Sequence, residues 1–289
     1  MTPRTVVFAV SHFHNADEVR AFCDHVLTLP RPPSVDVRVG VAENGGSGLD
    51  LDDFGSEVFR VPGGGNVGYL GGAHRVFEAW SARHGPPSWL VVSNTDVTFD
   101  PGALRELGEA REGEVLAPDV VLPDGRPQNP FLERRYSALR AYGYVWLTRF
   151  GWAFGLLARS APLRRRIRRW FPRRNATDHT GPRTPRTIYA AHGSCILLPR
   201  RFFDRGGTLA FPTFMYGEEI HVAEQARRVG CPIRFTPELR VHHGEHSVTG
   251  SVPDDRRRTW MHESARDAWL RYYAPAWWPG AEPVRTSGS

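Results

Sequence analysis

The chain has 289 residues with 37 basic against 31 acidic side chains, a net charge of +6, and apart from histidine every basic residue is arginine. That length can bury the core of one large α/β domain. No run approaches the roughly 20 apolar residues of a membrane-spanning helix, and Cys23, Cys195 and Cys231 lack the even count and C-x-x-C spacing of a disulfide framework or a cysteine zinc site. The arginine bias points to a GC-rich bacterial genome and the reduced cysteines to the cytoplasm, while the positive field favours anionic ligands such as nucleotide diphosphates or acidic lipids.

Residues 6–10 form a first apolar run with too little chain ahead of it for a signal peptide. A helical stretch with Val19, Phe22, Val26 and Leu29 on one face follows and ends at Pro30-Arg31-Pro32-Pro33. Residues 35–41 and 58–61 read as strands, and the glycine-rich run from Gly63 to Gly72 opens a helix through Val76, Phe77 and Trp80. With residues 89–93 as the next strand, the series implies a mostly parallel sheet with right-handed crossovers and flanking helices. Residues 128–186 break this rhythm with interleaved aromatics and arginines, including Arg164, Arg165, Arg166, Arg168 and Arg169. Regular structure resumes with a strand at 188–198, a helix at 218–229, a strand at 233–235, a turn-rich histidine segment at 241–247 and a helix at 259–273. The expected organisation is one domain over 1–275, with 128–186 as a divergent insertion and 276–289 as a disordered tail.

Chemistry concentrates at the predicted strand ends. The buried run 89–93 closes on Ser93-Asn94-Thr95-Asp96, which places Asp96 at the carboxyl edge of the sheet, where open α/β folds bind ligands. One carboxylate there suits Mg²⁺ or Mn²⁺ when a substrate diphosphate supplies further oxygens; a turn before Pro101 is the plainer alternative. Glu43-Asn44-Gly45 closes another strand, where Glu43 either accepts from a base imide or ribose hydroxyl or ends a ligand-free glycine turn. Asn66, Gly68, Gly71 and Gly72 either let backbone approach a nucleotide or form a tight loop, and they are not the G-x-G-x-x-G fingerprint. Glu218 and Glu219 open a predicted helix, one able to serve as general base and the other to complement the helix dipole. His242, His243 and His246 are imidazoles able to bind Mn²⁺ or Zn²⁺, or simply a surface loop.

Taken in order, these motifs resemble family 2 glycosyltransferases of the GT-A fold, in the rhamnosyltransferase-like branch, over most of residues 5–273. The matching stretches are Glu43-Asn44-Gly45-Gly46-Ser47, Asn66-Val67-Gly68-x-x-Gly71-Gly72, Ser93-Asn94-Thr95-Asp96-Val97, His192-Gly193-Ser194-Cys195 with the arginines that follow, and Gly217-Glu218-Glu219. The resemblance implies a nucleoside-diphosphate-sugar pocket formed by Ser11, Glu43, Asn44, Asn66, Gly68, Gly71, Gly72, Asn94, Asp96 and Gly193. It further implies a metal on Asp96 with His242, or His243 as the close second, and a catalytic base at Glu219, with Glu218 the competitor. Glu43 and Glu219 each stand where the family carries Asp, one methylene shorter, and Ile220-His221 replaces a second acidic position.

The activity implied is inverting, metal-assisted sugar transfer to an acceptor hydroxyl on a small molecule, a glycan or a lipid-linked carrier. The alternative is a non-catalytic nucleotide- or nucleic-acid-binding module of the same fold. The arginine and aromatic insertion offers peripheral membrane contact, a lid over the core, or, least favoured, a nucleic-acid grip.

Overall fold

The computed structural model describes residues 3–150, 183–244 and 254–281. Nine strands form one sheet: β1 (Arg4–Phe13), β2 (Val35–Gly45), β3 (Val58–Val61), β4 (Trp89–Ser93), β5 (Val97–Phe99), β6 (Val115–Val121), β7 (Arg186–Ile188), β8 (Cys195–Pro199) and β9 (Ile233–His243). Their order is β3-β2-β1-β4-β8-β6-β9-β5, with β7 paired to β9. The helices are α1 (Ala16–Thr28), α2 (Gly68–His84), α3 (Ala103–Glu109), α4 (Ala138–Arg149), α5 (Arg200–Asp204), α6 (Glu218–Arg228) and α7 (Asp254–Tyr272). None is long and apolar enough among the described residues to cross a membrane.

Strand β1 explains why its sequence is apolar without alternation. Val6, Phe8 and Val10 face one side, in a layer with Val19, Phe22 and Val26 of α1 and Leu104 and Leu107 of α3. Val7 and Ala9 face the other, with Leu70, Ala73 and Val76 of α2 and Val222, Ala223 and Ala226 of α6. A strand covered by helices on both faces needs apolar residues at every position. Phe22 packs edge-on against Phe8 and Phe99 at ring separations of 6.2 and 6.4 Å, so Phe22→Ala would cost about 3–5 kcal/mol.

The expected α/β architecture stands, with a mixed sheet in place of a mostly parallel one. Strands β3, β2, β1 and β4 are parallel, whereas β8 runs antiparallel to β4 and to β6, and β5 and β7 run antiparallel to β9. The single strand expected at 188–198 is two, because the chain turns at residues 189–194 between β7 and β8. His242 and His243 lie in β9 and not in a loop, since that strand continues through a register shift opposite Pro118 and Asp119 to pair with β5. The glycines 68, 71 and 72 belong to α2 itself. Of the predicted insertion, 128–150 and 183–186 are described and include α4; Arg164 to Arg169, His246 and the last eight residues lie outside the described residues.

Candidate functional site

The topology brings several separate segments to one edge of the sheet. β1, β2 and β4 end there, the antiparallel β8 begins there, and β6 and β9, which run parallel to each other and opposite to β8, end there. Asp96 sits in the short turn from β4 to β5, and the pairing of Val97 with His243 carries the imidazole to it. His243 Nε2 lies 3.3 Å from Asp96 Oδ1, while its Nδ1 is 2.7 Å from Gln128 Oε1. The backbone closes the same turn, Gly244 N–H donating to the Asp96 carbonyl over 2.7 Å. Asn94 Nδ2 lies 3.4 Å from the same His243 nitrogen.

His242, one residue earlier, faces the opposite side of the strand. It is exposed, with Nε2 2.9 Å from Asp100 Oδ1. Of the two expected histidine ligands, the structure therefore brings His243 to Asp96 and turns His242 away, because successive side chains on a strand alternate.

Gly193 precedes β8, whose first residue, Cys195, pairs with Ser93 at the end of β4. The Glu219 carboxylate lies against the Gly193 backbone, whose amide favours the charged form, and a side chain at 193 would crowd the same group, its Cβ falling 3.1 Å from Glu219 Oε1. Glu218 turns back to accept from Tyr216 N–H over 2.9 Å, which leaves Glu219 as the carboxylate directed at the 193 turn. Gly217 supplies the left-handed N-terminal residue of α6 at φ 82°, tight against Ser264 of α7.

Burial and the neighbouring Glu219 charge push the Glu218 carboxyl up to about 8. Burial likewise raises Glu219, against the opposing bonds from its own amide and that of Gly193. The Tyr69 phenol of α2 is raised by burial and feels the charges of Glu218, Glu219 and Asp96; its hydroxyl is buried without a hydrogen-bond partner. Burial raises the phenols of Tyr136 and, on α4, Tyr144, and both also feel the Glu219 charge, which in Tyr136 is opposed by Arg140. His192, next to Gly193, is pushed down to about 4 by burial and then by His243. It therefore stays neutral at neutral pH, its Nδ1 2.9 Å from Ser194 Oγ. Asn129 fixes that turn by accepting from His192 N–H at 2.7 Å while donating to the Pro118 carbonyl at 2.8 Å.

The remaining expected residues are engaged with one another and with neighbouring elements. Glu43 is ion-paired with Arg60 of β3. Asn44 Nδ2 donates to the Gly68 carbonyl over 3.1 Å, and Asn66 Oδ1 accepts from the Gly68 amide over 3.0 Å. Gly68 has φ 77°, and a methyl there would strike the Phe214 carbonyl; a methyl at Gly72 would strike Ser11 Oγ and press on Ala42. Gly71 packs against Val67. These glycines thus let α2 sit directly on β1, β2 and the 214 loop. Motif reading missed Gln128, His192 and the tyrosines 69, 136 and 144; a clue existed for His192, in its place beside Gly193.

Among the described residues no group of three or more His, Cys, Asp or Glu side chains converges as a complete cation cage. The Asp96 and His243 pair nevertheless fits a divalent ion. Adjacent ligands on an octahedral ion with bonds of ~2.1 Å lie about 3 Å apart, close to the 3.3 Å separation here, and the remaining positions would fall to substrate oxygens and water. A carboxylate with an imidazole suits Mn²⁺ at least as well as Mg²⁺.

Two solved structures match the fold. GalNAc-T7, whose structure contains UDP, GalNAc and Mn²⁺, superposes with a TM-score of 0.51 at 12% identity over 89% of this chain. S. aureus TarS gives a TM-score of 0.51 at 7% identity over 93%. The chain has a GT-A fold. It spans 48% and 44% of those two chains, less than half of either. In sequence it is 24% identical over 295 aligned positions, 96% of this chain and 87% of the relative, to the N-acetylglucosaminyl-diphospho-decaprenol L-rhamnosyltransferases of two Mycobacterium tuberculosis strains. No protein-family model matches the chain.

Proposed function

We propose that this chain is an inverting, metal-assisted glycosyltransferase of family 2, in the rhamnosyltransferase-like branch, moving a sugar from a nucleoside diphosphate to an acceptor hydroxyl. The observation that carries the reading is the placement of the Glu219 carboxylate, held by the Gly193 amide, at the sheet edge that also presents Asp96 with His243. Asp96 and His243 would hold the divalent ion, which would offset the charge of the departing diphosphate. Glu219 accepts the proton of the acceptor hydroxyl as that oxygen forms its bond to the anomeric carbon. The bond from that carbon to the diphosphate breaks on the opposite face, and the diphosphate leaves with the electron pair. A single base suffices for such a displacement, whereas glycoside hydrolysis uses two opposed carboxyl groups.

Raised carboxyl affinity for protons suits a base working near neutral pH, and Gly193 orients it. Tyr69, Tyr136 and Tyr144 contribute phenol donors and ring surface around Glu219, as a sugar or its carrier would require. The relatives named above support a rhamnosyl donor and a prenyl-diphosphate-linked acceptor as the first substrates to try. The whole chain incubated with a panel of nucleoside-diphosphate sugars and Mn²⁺ should release nucleoside diphosphate from one of them, faster when the acceptor is added. Binding without release would make the chain a non-catalytic nucleotide-binding module.

A further inference from the structure

Residues 134–177 contain twelve arginines and no acidic side chain, so the net +6 of the chain comes from this stretch and the remainder is net negative. Its described part, α4, is two-sided. The inner side packs Ala141 and Val145 with Trp269 and Tyr273 of the α7 region, and its Tyr144 feels the Glu219 charge. The outer side carries Leu139 and Trp146 seven residues apart, 76% and 55% exposed. The aromatic surface continues from there: Trp146 lies 4.8 Å from Phe150 and donates to the Tyr142 hydroxyl over 3.2 Å, and Tyr142 meets Trp278 at 5.5 Å. Trp278 in turn lies 5.9 Å from Trp277, which is 78% exposed. Neither α4 nor the turn at 273–281 bears an acidic residue.

We infer that the outer stripe of α4 and the Trp277 turn form a docking surface for an anionic lipid bilayer, with Leu139, Trp146 and Trp277 entering the headgroup boundary. Indole rings favour that boundary because they are apolar with one polar edge. The Leu139 side chain gains nothing from bases but does gain from acyl chains, which favours a bilayer over single-stranded nucleic acid. Arg134, Arg140 and Arg149, on and beside the stripe, supply the electrostatic part, of the sign that anionic headgroups attract. Since α4 is one helix thick, about 10 Å, and Tyr144 on its inner side lies within range of the Glu219 charge, a lipid-linked acceptor would present its head toward the base from the surface its tail occupies. That last consequence rests on the transferase reading; the docking surface itself does not.

The test is co-sedimentation of the whole chain with vesicles of phosphatidylcholine alone or mixed equally with phosphatidylglycerol, at low and high salt. The wild type should pellet with the mixed vesicles, less at high salt, and the triple variant L139S/W146S/W277S should bind about tenfold more weakly or worse. Release of nucleoside diphosphate from the donor in the absence of vesicles should be equal in the two proteins, which keeps this result separate from the fate of the transferase reading. No pelleting of the wild type overturns the inference, and so does pelleting of the triple variant as strongly as the wild type. A single-stranded RNA oligonucleotide bound by the wild type and released by the same substitutions, with vesicles ignored, reassigns the surface to nucleic acid. The three single substitutions, each read for binding and melting temperature, keep the test decisive if the triple variant does not fold.

Discussion

Where β2 and β3 end, the carboxylate of Glu43 faces the guanidinium of Arg60; where β8 begins, the neighbouring carboxylates of Glu218 and Glu219 are both largely withdrawn from solvent. The first pair is partly exposed and charge-balanced, so it contributes little beyond local order. The second is held at a cost, because burial and like charge both resist ionisation. Folds retain such an arrangement where a ligand relieves it or a reaction uses it. On the proposed reading the edge divides into a charge-balanced support half around Glu43 and a reactive half around Asp96 and Glu219.

The sharpest way to break this contrast is at Glu219. Glu219→Gln preserves shape and removes basicity, so transfer should fall by at least about 10²-fold while donor affinity, measured by calorimetry, stays within experimental scatter. Glu218→Gln should instead act on stability. Its folded value of about 8 stands above its ordinary 4.5, so the unfolded chain binds fewer protons between those limits. The stabilisation from protonated Glu218 is therefore complete below about pH 4.5 and lost as pH rises through about 8. Wild-type melting temperature should decline over that window, and the Glu218→Gln profile should be flatter. If Glu218→Gln abolishes transfer and Glu219→Gln does not, the roles exchange.

Next in size is the comparison within β9. Asp96→Ala and His243→Ala should each weaken Mn²⁺-dependent donor binding by about 10-fold or more, the scale on which even outer partners of a metal act. His242→Ala, which removes a partner of Asp100 on the other side of the strand, should leave it unchanged. Titration of nucleoside diphosphate with and without Mn²⁺ reads all three. Equal losses at both histidines would mean that strand alternation does not sort them.

The same division governs what the amino-acid sequence reveals. β3 and β4 match their apolar runs to the residue because each is a short β-branched stretch bounded by turn residues. Residues such as His12 and Asn44 hide the true ends of β1 and β2, where buried polar groups continue the strand. β5 is too short to register as a pattern, and β6 is interrupted by Pro118 and Asp119, yet both pair with β9 from far along the chain. Asp96 and Glu219 are legible because each stands in a local motif. His243 over His242 is not, since the choice depends on which face of β9 turns toward β4. Gln128, His192 and the three tyrosines reach the site through long-range pairing and packing, which no local spacing encodes.

The support half predicts losses of stability without loss of chemistry. Gly68→Ala meets both a left-handed φ of 77° and the Phe214 carbonyl, and Gly72→Ala meets Ser11 and Ala42 between helix and sheet. Each should destabilise by about 1–3 kcal/mol through overpacking, with Gly68→Ala the worse for its added backbone strain. Gly64→Ala has open space around it and should cost far less. Urea denaturation of the three variants gives the order, and a neutral Gly68→Ala would show that the loop at 214 yields.

The smallest expected effect is at Arg60, and it bears most directly on whether Glu43 belongs to the support or to the ligand. Arg60 is 47% exposed and Glu43 27%, so breaking their pair should cost under about 1 kcal/mol and less as salt is added. Arg60→Ala leaves the Glu43 carboxylate free to accept from a base or ribose, while Glu43→Gln keeps the length and lowers its charge. If Glu43 is support alone, donor affinity is the same in both variants and in the wild type. If it meets the nucleotide, Glu43→Gln weakens the donor while Arg60→Ala changes affinity in proportion to the pairing that the nucleotide must displace. Calorimetry on the two variants and their double mutant isolates the coupling between them, and a nucleotide-dependent coupling would move Glu43 from the balanced half of the edge into the reactive one.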